Sequence, residues 1–312
     1  MKSKISIIGA GRVGSTLACK IIEAEIAEVV LIDNKPGLAE GKSLDILHSE
    51  PLDNTSCKIT GSEDYSKIAG SSIIVITAGI SRKPGMTRED LIVTNAKIVS
   101  SVADNVVKYA PDAVVIMVTN PLDLMCYLFY KRTGFSANRI IGMGGILDAA
   151  RYKAAIAKKL NINFTQVHAL VIGTHGSGML PLPECTSVTG IPVKKLLSRQ
   201  ELDEIGENTV NAGAEIVELL KTESAYVAPA AAIFKAIKGI LNNNGYISCD
   251  SVYLNGEYGI KDIFIGVPVI LGQNGVEQIL DIKIRTTHLD KLHKIAAEIK
   301  ESTKLISQYF KE

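Results

Sequence analysis

Apolar residues in the first half of the chain gather in short β-branched runs at residues 4–8, 28–33, 58–60, 73–77, 113–119 and 139–141, with longer stretches of helical spacing between them. That alternation reads as βαβ units wound around a parallel sheet. The first helical stretch, residues 12–24, carries Val13, Leu17, Ile21 and Ala24 at three- to four-residue intervals, which predicts one face laid against the sheet. Residues 79–88 break the rhythm with glycine, proline and basic side chains, the composition of a loop built to move. A helix over 87–109 should follow and end before Pro111.

Beyond about residue 145 the pattern is less regular. Helical spacing at 146–160, 198–220 and 228–241 mixes with strand-like segments at 167–172, 185–188, 248–254, 264–271 and 275–279, and an amphipathic helix over 290–310 closes the chain. No repeat, low-complexity tract or linker is visible. The expected architecture is α/β: an N-terminal doubly wound parallel sheet (Rossmann) over residues 1–144, packed tightly on an α+β substrate domain over residues 145–312.

Composition narrows the partners more than it narrows the fold. At 312 residues two domains have room for a large core. A formal net charge of +1 offers no field for a nucleic-acid or membrane-surface partner. The longest apolar stretches, 73–77 and 228–234, fall far short of the roughly 18–20 residues that span a bilayer. Met1-Lys2-Ser3-Lys4 imitates the start of a signal peptide, but a strand entering a glycine turn accounts for the same letters better. Five scattered cysteines, at 19, 57, 126, 185 and 249, include no CxxC pair. A cysteine metal or redox site is therefore not expected, and a reducing cytoplasm is the expected compartment.

The chemistry begins at Gly9-Ala10-Gly11-Arg12-Val13-Gly14, between the first strand and the first helix and about 20 residues ahead of Asp33. A GxGxxG turn alone is weak evidence for a nucleotide site. In this context it predicts a dinucleotide turn, with Gly9 making the tight bend, Gly11 letting the pyrophosphate approach the backbone and Gly14 closing helix on strand. The helix N-terminus would supply free N–H groups to the phosphates. Asp33 would take the ribose hydroxyls and repel a 2′-phosphate, which favours NAD over NADP.

A second constellation lies near mid-chain. His175 sits in Gly173-Thr174-His175-Gly176, while Asp148 and Arg151 stand three residues apart on a predicted helix. Hydride transfer at a 2-hydroxy acid needs a proton carrier, a carboxylate grip and a group that polarises the carbonyl. Histidine suits the first task near neutral pH, with Asp148 to orient its ring and Arg151 to hold a carboxylate through paired hydrogen bonds. Without His175 the other two would read as an intrahelical ion pair of a few tenths of a kcal/mol.

From these residues the chain resembles the lactate/malate dehydrogenase family, and most specifically its lactate-dehydrogenase-like malate dehydrogenases. The matching blocks are GAGRVG at 9–14, TAG at 77–79, RKPGMTREDL at 82–91, NAKIV at 95–99, VTNPLD at 118–123, LDAAR at 147–151, GTHG at 173–176 and APAAAI at 228–233. The resemblance implies NAD as cofactor, bound by Gly9, Ala10, Gly11, Arg12, Val13, Gly14, Asp33, Asn95, Val118, Thr119 and Asn120. It implies His175 as proton acceptor and donor with Asp148 as partner. Arg151 would hold the proximal carboxylate, Arg88 the carbonyl, Arg82 the distal carboxylate, and Asn120 both substrate and cofactor. Residues 79–88 would form the lid.

The implied substrate is a small dicarboxylate, malate or oxaloacetate, and the implied assembly a homotetramer or homodimer. Arg82 carries that choice of substrate, because lactate dehydrogenases commonly have an uncharged residue at the matching position. A lactate or other 2-hydroxy acid dehydrogenase is the alternative. One departure stands out: many relatives continue GTHG with an acid, whereas this chain reads Gly176-Ser177-Gly178.

Overall fold

The computed structural model describes residues 3–81, 85–221 and 223–311. Its first half runs β1 (Ser3–Ile8), α1 (Arg12–Glu23), β2 (Ala27–Ile32), α2 (Leu38–Asp53), β3 (Ile59–Ser62), β4 (Ile73–Ile76), α3 (Arg88–Tyr109), β5 (Val114–Met117), α4 (Leu122–Thr133) and β6 (Ile140–Gly142). There follow α5 (Gly145–Leu160), β7 (Val167–His168), β8 (Val171–Gly173), β9 (Met179–Pro181), β10 (Ser187–Val188), β11 (Ile191–Pro192), α6 (Arg199–Leu220) and α7 (Val227–Asn242). Strands β12 (Tyr246–Asn255), β13 (Lys261–Gly272) and β14 (Gly275–Ile279) and helix α8 (Thr286–Ser302) complete the order.

The six parallel strands take the order β3-β2-β1-β4-β5-β6. That is the doubly wound arrangement, in which the winding reverses between β1 and β4 and opens a crevice at the strands' carboxyl ends. Register makes the crevice usable. Ile8 pairs with both Ile32 and Ile76, so Gly9, Asp33 and Thr77 leave the sheet side by side. The strands are apolar almost throughout, Ile5, Ile7, Ile8, Leu31, Ile32 and Ile73–Ile76 being buried, as helices on both faces require. Beyond β6 the sheet continues antiparallel, through a contact between Gly142 and Ser251, into β12, β13, β8 and β9.

Several elements differ from the pattern read in the sequence. Helices α2 and α4 were not foreseen. Gly41 and Pro51 lie inside α2, and α4 is buried through Leu122, Asp123, Leu124, Met125, Cys126, Tyr127, Leu128 and Phe129, leaving no polar stripe to set a helical period. Residues 167–172 form two strands in two different sheets, β7 and β8, rather than one. The closing helix starts earlier, at Thr286, and after Ser302 tightens into a 3₁₀ segment, Thr303–Tyr309.

One buried acid in this core has a measurable consequence. Asp250 on β12 is inaccessible to solvent, and neither carboxylate oxygen finds a hydrogen-bond partner among the described residues. Burial raises its pKa to about 7, with the Ser248 hydroxyl working weakly the other way. The folded chain therefore holds the Asp250 proton at pH values where the unfolded chain has released it. Stability is fully present below the unfolded pKa and falls as pH rises toward 7, by a few kcal/mol at most. The neutral Asp250→Asn should flatten that slope, so its Tm relative to wild type should rise between about pH 5 and about pH 7 and level off above it. A Tm difference independent of pH would show that Asp250 does not titrate in this range.

Candidate active site

The glycine turn is built from both sides of the crevice. The Gly9 amide donates to the Ile32 carbonyl at 2.7 Å, and Thr77 Oγ1 donates to the Gly9 carbonyl at 3.0 Å. With φ +113°, Gly9 occupies backbone space that an L side chain would fill against Thr77 and Ala78. A β-carbon on Gly14 would collide with the Gly9 carbonyl, so this glycine is demanded by the seating of α1 on the turn. Gly11 differs, because a β-carbon there would meet nothing within 4 Å. No packing among the described residues demands that glycine, and the space in front of it fits a group approaching from outside. The first turn of α1 contains no acid and its N-cap has no side-chain cap, so its amides remain available to a phosphate.

Asp33 is half-buried at the end of β2. One carboxylate oxygen accepts from the Ala10 amide at 2.7 Å and the other from the Lys35 amide at 2.9 Å. The acid thereby fixes the turn, and each oxygen keeps a further lone pair for a ribose hydroxyl. Arg12 at the start of α1 pairs with Glu223 and lies over the Tyr226 ring at 5.4 Å, which carries the segment before α7 up to the turn.

The other wall of the crevice is organised by Asn95. This fully buried side chain on α3 donates to the carbonyls of Asn120 (2.6 Å) and Ile80 (3.1 Å) and accepts from the Ile80 amide (2.8 Å). Its amide is spent on tying the end of β5 to the start of the 79–88 segment. Thr119, also buried, donates to the Ala78 carbonyl at 2.7 Å, while Asn120 lies exposed at the edge and Val118 half-buried beside it. Asn120 precedes Pro121 through a cis peptide bond. Arg88 is exposed in the first turn of α3, after a capping box in which Thr87 and Asp90 bond reciprocally. A cation at a helix N-terminus opposes the helix dipole, a small cost that Glu89 and Asp90 offset. Arg82 lies outside the described residues.

The mid-chain constellation comes together. His175 Nδ1 lies 2.9 Å from one Asp148 oxygen, and Arg151 Nη1 donates to the other at 3.3 Å. Side-chain exposures of 2% for Asp148, 18% for His175 and 14% for Arg151 make the acid an interior anchor beneath two groups that still reach the surface of the site. Glycines permit this approach. A β-carbon on Gly144 would press on the His175 side chain at 3.2 Å, and one on Gly145 would strike Cys249 and the Val171 carbonyl at 2.7 Å. The N-terminus of α5 can therefore sit directly against β8 and β12. On the far side the Arg151 guanidinium rests on Gly213 of α6, about 3.5 Å from where a β-carbon would stand.

The sequence reading gave no role to three residues found here. Asp123, buried in the first turn of α4, accepts from Ser251 Oγ at 2.6 Å and from Thr174 Oγ1. Its partners are remote in the chain, so spacing could not reveal them. The available signal was a lone acid, at the end of VTNPLD, inside an otherwise apolar stretch. A β-carbon on Gly178 would strike the Thr174 side chain at 2.5 Å, which accounts for that glycine, whereas nothing in the structure explains Ser177 in place of an acid.

A dinucleotide-type crevice and a histidine–carboxylate–arginine set, carried on one continuous sheet, define a protein of the nucleotide-dependent dehydrogenase class. The chain belongs to the lactate/malate dehydrogenase family. Family models match residues 3–142 (lactate/malate dehydrogenase, NAD binding domain) and 146–309 (lactate/malate dehydrogenase, alpha/beta C-terminal domain). A malate dehydrogenase of Methanosarcina mazei is 47% identical over 298 residues, covering 96% of this chain and 97% of its own. The crystal structure of Cryptosporidium parvum malate dehydrogenase superposes with a TM-score of 0.96 at 38% identity, covering 99% of this chain and 100% of that one. A lactate dehydrogenase from the same organism, solved with lactic acid and β-nicotinamide adenine dinucleotide, superposes at 0.94, also at 38% identity and covering 98% of each chain. The two solved structures are equally identical to this chain, so the fold alone does not choose between the two substrates.

Proposed function

We propose that this protein is an NAD-dependent malate dehydrogenase, interconverting (S)-malate and oxaloacetate. The observation that carries the reading is the shared carboxylate of Asp148, bonded to His175 on one oxygen and Arg151 on the other. An ionised carboxylate only accepts hydrogen bonds, so His175 Nδ1 carries the proton toward Asp148 and neutral Nε2 presents a lone pair. Nε2 takes the malate hydroxyl proton as the carbonyl forms, and Asp148 stabilises the resulting imidazolium. In the reverse direction the same nitrogen returns the proton. Bound NAD supplies the two-electron acceptor for the C2 hydrogen. Arg151 holds the carboxylate next to the reacting carbon, Arg88 polarises the carbonyl oxygen when the 79–88 segment closes, and Arg82 faces the distal carboxylate.

Residues 1–144 would carry the cofactor and 145–312 the substrate, with Asn120 serving both. A homodimer or homotetramer is proposed, with the exposed Leu44, Leu47 and Leu52 on α2 and Leu219 on α6 as apolar surface for pairing. No described helix is long and apolar enough to cross a membrane, and a cytoplasmic location is proposed from the five free cysteines.

One spectrophotometric panel tests substrate and cofactor together. With NADH, oxaloacetate should give a higher kcat/KM than pyruvate or 2-oxoglutarate, and a preference for pyruvate would replace malate with lactate in this reading. NADPH should serve poorly. A 2′-phosphate beside Asp33 costs roughly 1–3 kcal/mol at an effective dielectric near 20, about 5- to 150-fold in kcat/KM. Equal values for the two cofactors would remove Asp33 as the selector.

A further inference from the structure

We infer that Asp123 is a positioning residue for His175, acting through the Thr174 hydroxyl. The inference rests on the reading of His175 as proton carrier and extends it to the backbone that bears the ring. Asp148 orients the imidazole, and the backbone beneath it is a short turn between β8 and β9, closed by the Gly173–Met179 pairing and by the Met179 amide donating to the Gly176 carbonyl at 3.1 Å. Within that turn Gly173 (φ +90°) and Gly176 (φ +141°) flank Thr174 and His175 in backbone conformations that glycine adopts without strain. Those bonds close the turn on itself, and a side-chain contact from outside ties it to the rest of the site. The side chain next to His175 is held by Asp123, 51 residues away, while the second oxygen of the same acid accepts from Ser251 on β12.

The placement argues for a purpose beyond packing. A fully buried carboxylate is costly unless it is hydrogen-bonded, and an apolar residue would suit the rest of α4 as well. At this position the acid joins three parts of the site: the α4 first turn directly after Asn120, the β12 strand and the His175 loop. The dipole of α4 favours a negative charge there. Burial pushes the Asp123 carboxyl upward, while the Ser251 and Thr174 hydroxyls and a charged His175 favour its ionised form. Asp123 thus fixes the distance between the crevice edge at Asn120 and the proton carrier, a distance on which near-attack geometry depends.

Thr174 is the residue to change, because it is only half-buried and valine keeps its shape while removing the hydroxyl. Thr174→Val should lower kcat about 10- to 100-fold, the range expected for a misplaced catalytic group. Its NADH dissociation constant, read by fluorescence, should not change, and the solvent isotope effect on kcat should grow as proton transfer becomes limiting. Thr174→Ser, which restores the hydroxyl, should return kcat to within about threefold of wild type. His175→Asn, assayed in parallel, separates the two layers of the argument. If His175→Asn is inactive while Thr174→Val keeps wild-type kcat, the positioning role is overturned and the proton carrier stands. Equal losses in the valine and serine variants would also overturn it, because packing and not the hydroxyl would then be responsible. An active His175→Asn overturns both readings, since there would be no proton carrier to position.

Discussion

His175→Asn should lose about 10²- to 10⁴-fold in kcat while binding NADH as tightly as wild type. The split follows from geometry. Asparagine keeps an amide N–H that can reach toward Asp148, so the carboxylate is not stranded and the fold around α5 has no reason to change. It carries no group that titrates near neutrality, so the hydroxyl proton must leave to water. The cofactor turn is anchored by β1, β2 and β4, contacts in which His175 has no part. Stopped-flow measurement of NADH oxidation in a single turnover would isolate the chemical step from product release. A variant retaining more than about a tenth of wild-type kcat would exclude His175 as the proton carrier.

The parts of the site that could be read from the sequence are those whose logic is local. The Gly9–Gly14 turn is legible because strand, turn and helix are contiguous and each glycine answers to a nearby constraint. Asp148 and Arg151 are legible because a three-residue spacing on a helix puts them on one face. His175 stood out because glycines flank it. What stayed hidden depends on contacts between distant segments. Asn95 reads as a residue lining the crevice, yet its amide is consumed by the backbone of Ile80 and Asn120. Asp123 reads as one letter of a motif, yet its partners lie 51 and 128 residues away.

The same division holds for the fold. Parallel strands announced themselves as apolar runs, whereas α4 did not announce itself as a helix, because a helix buried on all sides loses the periodicity that marks one. The strand-like run at 167–172 was legible as extended chain, but nothing local tells it to break and send β7 and β8 to different sheets. Helix boundaries were recovered best where side chains cap them, as at Thr87 and Ser198. They were recovered least well at the C-terminus, where α8 gives way to 3₁₀ turns with apolar spacing of the same kind.

Arg82→Gln should exchange the substrate preference proposed for this chain. Arg82 lies outside the described residues; in the RKPGMTR segment it is the cation six residues ahead of Arg88 proposed to meet the distal carboxylate. Oxaloacetate differs from pyruvate by a second carboxylate, which needs a cation when the site closes and water leaves. Truncating one partner of a desolvated, hydrogen-bonded charge pair costs about 2–5 kcal/mol. At about 1.4 kcal/mol per tenfold, kcat/KM for oxaloacetate should fall roughly 30- to 5,000-fold. Pyruvate should improve in the same variant, because its methyl group no longer faces an unpaired guanidinium buried by closure. Its absolute rate need not reach that of a lactate dehydrogenase, since the volume of the site and the Gly176-Ser177-Gly178 segment are unchanged. Both substrates must be measured on both proteins, so that the ratio and not either rate alone is compared. An oxaloacetate-to-pyruvate ratio that hardly moves would make Arg82 a solvated loop charge, and the choice of malate over lactate would lose its physical basis.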